Sequence, residues 1–250
     1  MKFSNGMWLN KENYTVLHPV ELYDMCIEEV KLTAYCPFVK VNTRGNTLDG
    51  GMLTTEISSP MENIIKVRIT HHAGEKEQSY FKLNEKTPDI KIKENNDNYE
   101  FISGRLKAQI GKGENWGIKF YNNDKLLTET SRTGTAYITT DKKEIYMREQ
   151  LAIGVGELVY GLGERFTPFV KNGQSVDIWN QDGGTASEQS YKNIPFYLTN
   201  KGYGVFVNHS ENVSFEVGSE SVSKVQFSVE GESLEYYRRC VAGKDGICGN

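Results

Sequence analysis

Two short blocks in the second half of the chain bring together side chains that could bind a sugar. Residues 160–166 read Tyr-Gly-Leu-Gly-Glu-Arg-Phe, and residues 177–184 read Asp-Ile-Trp-Asn-Gln-Asp-Gly-Gly. Amides, a carboxylate and an aromatic ring suit this ligand, because sugar hydroxyls need paired donors and acceptors and a pyranose has a flat apolar face. The glycines permit positive φ and would bring Asp182 to a loop tip. We therefore take Asp182 and Trp179 as candidate substrate-binding residues.

These side chains also have simpler structural interpretations. Asp182 could merely set an Asp-Gly turn, because aspartate tolerates the left-handed conformation and bonds its own backbone. Trp179 could be a core anchor, since tryptophan is highly buried on average. Glu164 and Arg165 resemble a catalytic pair, but arginine is always charged and accepts no proton. An ion pair that fixes the glycine turn is therefore the favoured interpretation of those two residues.

No residue of the chain is predicted to be catalytic. Retaining hydrolysis of a glycoside needs two carboxyl groups about 5–5.5 Å apart, one of them with a raised pKa. Asp177 and Asp182 are the only carboxylates of the second block, and nothing beside them supplies the apolar pocket or like charge that would raise a pKa. The four histidines form no metal-binding motif, and a nucleotide fingerprint fails because Phe166 stands at its third glycine. We expect no metal and no cofactor.

Alternating apolar and polar residues predict the elements that position these blocks. The clearest runs are residues 65–70, 106–110, 117–121, 203–207, 213–217 and 222–229. Turn signals rich in Asn, Asp and Gly separate many such runs, a spacing typical of a sandwich or barrel. The sequence therefore predicts an all-β fold, an antiparallel β-sandwich. A capping-box pattern at residues 185–188 predicts a short helix directly after the sugar-like loop.

We assign residues 1–237 to one β-sandwich domain and residues 238–250 to a C-terminal tail of different character. The polar segment 91–98 is interpreted as a connector and as a sub-boundary within the domain. The tail is neither periodic nor apolar. An interrupted or frame-shifted gene would explain such a change more simply than a purposeful C-terminus.

Composition excludes several functional classes. The net charge is −4 and no block is rich in Lys or Arg, so no nucleic-acid partner is expected. The first residues contain no apolar run typical of a signal peptide, and no stretch has the length of a membrane span. We expect a cytoplasmic protein with no membrane partner.

Four blocks in order resemble glycoside hydrolase family 31. They are residues 160–166, 179–184, 191–197 and 202–209, and the likeness extends from the first residues to about Tyr237. Within this family the chain is most similar to the N-terminal region of bacterial α-xylosidases. The resemblance implies a galactose-mutarotase-like sandwich that docks on a catalytic (β/α)₈ barrel. It also implies that Asp182 reaches the substrate, an α-xyloside or related oligosaccharide.

The resemblance stops before the barrel, and the family's nucleophile motif, Trp-x-Asp-Met-x-Glu, is absent from the chain. The isolated chain is therefore expected to be an inactive accessory domain of a retaining α-xylosidase-like enzyme. An exposed docking face would promote self-association into a homo-oligomer. Two alternatives remain open: a free-standing carbohydrate-binding module that uses Trp179 and Asp182, and a compact enzyme that uses Asp177 and Asp182.

Overall fold

The predicted all-β class is confirmed. A computed structural model describes residues 1–6, 9–48, 50–71, 86, 88–181 and 188–240. In these ranges every strand pairing is antiparallel, and the helical content is one 3₁₀ turn at Arg44–Leu48. The architecture is that of a galactose-mutarotase-like β-sandwich.

The strands of the described residues form three sheets. In chain order they are β1 (Tyr14–Leu17), β2 (Asp24–Ile27), β3 (Leu32–Pro37), β4 (Met52–Ser58), β5 (Ile64–Thr70), β6 (Ile90–Glu94), β7 (Asn98–Ser103), β8 (Leu106–Gly111), β9 (Ile118–Asn122), β10 (Lys125–Thr130), β11 (Ala136–Thr140), β12 (Ile145–Ala152), β13 (Val159–Gly161), β14 (Gln174–Ile178), β15 (Phe196–Thr199), β16 (Tyr203–Val207), β17 (Val213–Val217), β18 (Lys224–Glu230) and β19 (Ser233–Cys240). A six-stranded sheet has the order β1-β11-β12-β18-β17-β14, a five-stranded sheet β10-β9-β8-β7-β6, and an eight-stranded sheet β13-β15-β16-β19-β5-β4-β3-β2.

Period-two alternation explains how the sheets share one core. In β5 the side chains of Ile65, Val67 and Ile69 are buried, while the residues between them are partly exposed. Burying each such side chain contributes about 1.5–3 kcal/mol, so a one-residue slip of register would expose the whole set. Aromatic pairs join the six-stranded and eight-stranded sheets, with Phe227 and Tyr236 in edge contact at 5.3 Å between ring centroids.

A buried arginine joins the five-stranded sheet to the eight-stranded sheet. Arg238 on β19 is fully buried, and its guanidinium lies 4.0 Å from the ring centroid of Tyr203 and 4.7 Å from that of Phe120. Its nitrogens have no hydrogen-bond partner among the described residues. The two ring faces offset part of the cost of burying this cation, and burial lowers the pKa of Arg238 from its ordinary value.

The neighbouring buried carboxylate is fully satisfied. The Tyr203 hydroxyl donates to Glu157 Oε1 at 2.5 Å, while Lys201 Nζ lies 2.9 Å from Glu157 Oε2. The backbone N–H of Gly154 donates to the same Oε2 atom at 2.8 Å. This group anchors the start of β16 to the turn before β13.

Two segments differ in local structure from their sequence interpretation. Residues 91–98 are not a connector: Lys91–Lys93 lie in β6, Asn98 begins β7, and the two strands pair as a hairpin. Its core-facing residues are isoleucines spaced two apart among lysines, and this short pattern escapes notice in a polar run.

Near the C-terminus, β19 continues in register to Cys240, beyond the predicted end of the domain at Tyr237. Residues 241–250 lie outside the described part. The division at 237/238 and the sub-boundary stay predictions.

Candidate functional site

The first sequence block forms a turn with three consecutive positive φ angles. Gly161, Leu162 and Gly163 have φ values of 106°, 65° and 89°. A Cβ at residue 163 would lie 2.1 Å from the carbonyl oxygen of Lys192, so only glycine fits there. Leu162 accepts the strain of the left-handed region because its side chain is completely buried. The turn therefore packs directly, backbone on backbone, against the segment that begins at Lys192.

Arg165 leaves this turn and binds backbone carbonyls of three segments. Its Nε donates to Leu162 O at 3.0 Å, Nη1 to Glu188 O at 3.1 Å and Nη2 to Asp177 O at 2.5 Å. Nη2 also donates to Oδ1 of Asn193. Burial lowers the pKa of Arg165 from its ordinary value, and the Asp177 and Glu188 carboxylates oppose that shift. The guanidinium stays charged and acts as a bridge between segments.

The ion pair expected between Glu164 and Arg165 is wrong. Glu164 instead pairs with Lys192, with 3.0 Å between its Oε2 and the lysine Nζ. Both partners are largely exposed, so this pair contributes little to stability. The acid therefore faces solvent, while Arg165 turns toward the protein and binds backbone carbonyls.

Asn193 binds the other side of the second block. Its Nδ2 donates to Trp179 O at 2.9 Å, to Asn180 Oδ1 at 3.0 Å and to Ser190 O at 2.6 Å. A parallel bridge pairs Asn180 with Ser190, and Gln181 N donates to Ser190 O at 3.0 Å. Residues 179–190, which we call the 179–190 loop, therefore have their two stems side by side. Its tip, including Asp182 and the predicted helix at 185–188, lies outside the described residues except for Glu188.

Trp179 is half exposed, so the core-anchor interpretation is wrong. Its ring lines an open groove of about 680 Å³, which we call the Trp179 groove. Polar side chains line the same groove: Asn180, Asn208 and Glu211, together with Asn193, whose amide is already bound to the loop stems. An aromatic face beside amides and a carboxylate matches the chemistry predicted for a sugar-binding surface.

A second groove, of about 400 Å³, is lined by the glycine turn and by residues 189–192 at the end of the loop. We call it the Phe169 groove. Three of its residues are strongly exposed aromatics: Phe166, Phe169 and Tyr191. The ammonium of Lys171 lines it too and donates to Thr167 Oγ1 and Pro168 O. Clustered exposed aromatic rings are unusual on a free surface and are typical of a contact face.

Asp177 is held in the sheet rather than presented to a ligand. Its Oδ1 accepts from Ser214 Oγ at 2.6 Å across the β14–β17 ladder. In the described ranges no group of three or more His, Cys, Asp or Glu side chains could hold a metal ion. The same ranges contain no helix that is both long and apolar enough to cross a membrane.

The sequence reasoning missed Arg165 and Asn193 as organisers of the loop. The expected partner of Arg165, Glu164, binds Lys192 instead. Asn193 carries no local signal, because its partners Arg165, Trp179 and Asn180 come from other segments of the chain. The proline two residues later, Pro195, is the one hint that this segment is irregular.

Comparison with known proteins identifies the family. Residues 54–216 match the family model described as the glycosyl hydrolase 31 N-terminal galactose mutarotase-like domain. The chain is 48% identical to the α-xylosidase XylQ of Lactiplantibacillus pentosus over 95% of its length and 31% of that protein's. It is 40% identical to an α-xylosidase of Emericella nidulans, over 95% of its length and 33% of that protein's. It thus spans about a third of each of these relatives.

A solved structure shows the same fold. The cycloalternan-forming enzyme of Listeria monocytogenes, in complex with a pentasaccharide substrate, superposes with a TM-score of 0.74 at 16% identity, over 93% of this chain and 21% of that one. The resemblance of the four sequence blocks is thereby confirmed. The chain belongs to glycoside hydrolase family 31 and contains the N-terminal galactose mutarotase-like domain of that family.

Proposed function

We propose that this chain is the substrate-loop domain of a retaining α-xylosidase-like glycosidase. The sandwich would dock on the catalytic (β/α)₈ barrel, and the 179–190 loop would bring Asp182 and Trp179 to an α-linked xyloside. The observation that carries the proposal is the 48% identity, over almost the whole chain, to a protein described as an α-xylosidase. Two thirds of that relative lie beyond the matched part, which leaves room for a barrel.

The surroundings of the loop support a docking role. Exposed aromatic rings of the Phe169 groove and the half-exposed Trp179 both lie beside the loop stems. A domain that covered this face would bury those rings, each contributing about 25 cal/mol for every Å² of apolar surface removed from water. The same contact would place the loop tip at the boundary between the two domains, where ligand sites commonly form.

The isolated chain is expected to have no hydrolytic activity. Retention requires a nucleophilic carboxylate and an acid about 5–5.5 Å apart. Asp177, the second carboxylate of the loop region, is already bound to Ser214 on the sheet. The family's Trp-x-Asp-Met-x-Glu motif does not occur in the sequence. In the intact enzyme the nucleophile and the acid would come from the barrel.

A fused enzyme tests the proposal. Residues 1–240 replace the homologous segment of the Lactiplantibacillus pentosus α-xylosidase, and release of nitrophenol from an aryl α-xyloside is followed. The fusion should be active, and Asp182→Asn should lower kcat/KM by about 10- to 100-fold, the effect of losing a charged hydrogen-bond acceptor. Asp124→Asn, in the exposed β9–β10 turn, is the matched control and should change nothing. Activity of the unfused 250-residue chain that Asp182→Asn abolishes would instead establish the compact enzyme.

A free-standing carbohydrate-binding module is the second candidate, and the half-exposed Trp179 beside Asn180, Asn208 and Glu211 favours it. One open groove desolvates little ligand surface, so affinity for xylose should be millimolar or weaker. Calorimetric titration of the 250-residue chain with xylose and xylosyl oligosaccharides distinguishes the two. Saturable micromolar binding that Trp179→Ala removes would support the module and count against the accessory domain.

Two further features belong to the same proposal. A cytoplasmic location fits an enzyme that acts on small xylosyl oligosaccharides, and cell fractionation tests it. Self-association of the isolated chain through the exposed aromatic face is expected as well. Light scattering coupled to size-exclusion chromatography should detect it, and Phe169→Ser should reduce it.

A further inference from the structure

The 179–190 loop is held in place by two side chains that approach it from different segments. We propose that Arg165 and Asn193 are positioning residues, which together clamp both stems of this loop. Only the loop's role at the substrate rests on the function proposed above. The clamp itself is a claim about this chain alone and can be tested without a catalytic partner.

The geometry of Arg165 suits this task and no other cation could replace it. Its three nitrogens donate to carbonyls before the loop (Asp177), at the end of the loop (Glu188) and in the glycine turn (Leu162), at 2.5, 3.1 and 3.0 Å. A planar guanidinium presents these donors in a fixed fork, whereas a lysine ammonium is a point charge on a flexible stem. Because the side chain is half-buried, each of these bonds is less weakened by water than it would be on the surface.

Asn193 completes the clamp from the opposite side. Its Oδ1 accepts from Arg165, and its Nδ2 donates to the carbonyl oxygens of Trp179 and Ser190, one on each stem. The orientation of the amide is unambiguous, because exchanging its oxygen and nitrogen would set donor against donor and acceptor against acceptor. Arg165 and Asn193 therefore act as one unit that spans both stems.

The stems need this support because they share little backbone pairing. Among the described residues, their backbone pairing is the single bridge between Asn180 and Ser190, in which Gln181 N donates to Ser190 O. The side chain of Gln189 also donates to that of Gln181. Ordering a closed loop of this length costs considerable conformational entropy, and a single backbone bridge between the stems is too weak to offset that cost. Side chains bound to the stem carbonyls offset it without restricting the sequence at the tip.

Hydrogen–deuterium exchange of the 250-residue chain tests the clamp. Arg165→Lys keeps the positive charge but loses the planar set of guanidinium donors. Asn193→Asp keeps an oxygen that accepts from Arg165 but loses the N–H group that donates to both stems. Peptides covering residues 178–192 should exchange about 10- to 100-fold faster in each variant, as expected for losing bonds from a charged or multiply shared donor. Exchange in β18 and the melting temperature should change little. Lys192→Ala removes a nearby exposed ammonium that pairs with Glu164, and it should behave as the wild type.

Unchanged exchange in the loop peptides of both variants would overturn the clamp. Faster exchange throughout the sheets would overturn it as well, because the two residues would then support the fold and not the loop. The fused enzyme adds a second measurement, kcat/KM, which a general loss of stability does not change while the protein stays folded. At a temperature where all variants are folded, kcat/KM for an aryl α-xyloside should fall about tenfold or more, since an error of 1 Å in position can cost 10² in rate. An inactive wild-type fusion would refute the proposed function and leave the exchange result standing.

Discussion

Replacing Gly163 by alanine should damage the site far more than one methyl group suggests. A Cβ at this position would lie 2.1 Å from the carbonyl oxygen of Lys192 and 3.0 Å from the Cα of Asn193. Both neighbours are backbone atoms and cannot rotate away. The turn or the segment after the loop must therefore shift by about 1 Å, and overpacking of this kind costs about 1–3 kcal/mol.

The backbone conformation adds a second cost. The φ of Gly163 is 89°, where an L-residue loses about 1–2 kcal/mol relative to glycine. Gly163→Ala should thus cost about 2–5 kcal/mol in all. Gly173 is a matched control, because its φ is 85° and a Cβ there would meet nothing within 4 Å. Gly173→Ala should cost only the conformational part, about 1–2 kcal/mol.

Urea unfolding of the 250-residue chain, followed by circular dichroism, measures both costs. The midpoint should fall further for Gly163→Ala than for Gly173→Ala, with unchanged slopes. Hydrogen exchange of the same samples shows where the difference arises, and peptides containing residues 188–195 should lose protection only in Gly163→Ala. Equal midpoints for the two variants, with equal exchange in those peptides, would refute the close backbone contact.

Two further predictions concern the core. Burial lowers the pKa of His18 from 6.5 to about 4, so the unfolded chain binds more protons between those values. Stability should therefore fall as the pH drops from about 6.5 to about 4, by about 3 kcal/mol more in the wild type than in His18→Gln, as measured by urea midpoints against pH. Equal pH profiles would contradict it. Tyr203→Phe removes a bond to the buried Glu157 and should cost about 1.5–3 kcal/mol, whereas Tyr197→Phe, whose hydroxyl has no partner in the described ranges, should be neutral or stabilising. Similar losses for both tyrosines would count against this assignment.

The strands could be predicted from the sequence where apolar and polar residues alternate regularly. Residues 65–70 and 222–229 alternate in sequence, and both lie largely in strands, β5 and β18. In β5 one face is buried as expected, whereas β18 is buried on both faces, including the polar Gln226 and Ser228. The hairpin at 91–98 was missed because its apolar residues are few and its turn is as polar as a linker. Short strands of this kind depend on neighbours that are distant in sequence, and no local window contains those neighbours.

The candidate site could be predicted only in part, for a different reason. Glycines at 161 and 163 indicated a tight turn because their conformational freedom is a property of the residue itself. The partner of Arg165 could not be predicted, because an arginine beside a glutamate implies an ion pair unless the direction of each side chain is known. The exposure of Trp179 likewise depends on what covers the ring, and residue type does not decide that.

The sequence blocks at 160–166, 177–184 and 191–197 contact one another, and together they hold the 179–190 loop. The missing side chain of Gly163 lets the carbonyl of Lys192 approach, and this contact fixes the backbone of the next residue, Asn193. Arg165, two residues beyond the same glycine, then lies within reach of the Asn193 amide. Because each contact presupposes the previous one, the loop position is set by backbone packing first and by side-chain donors second.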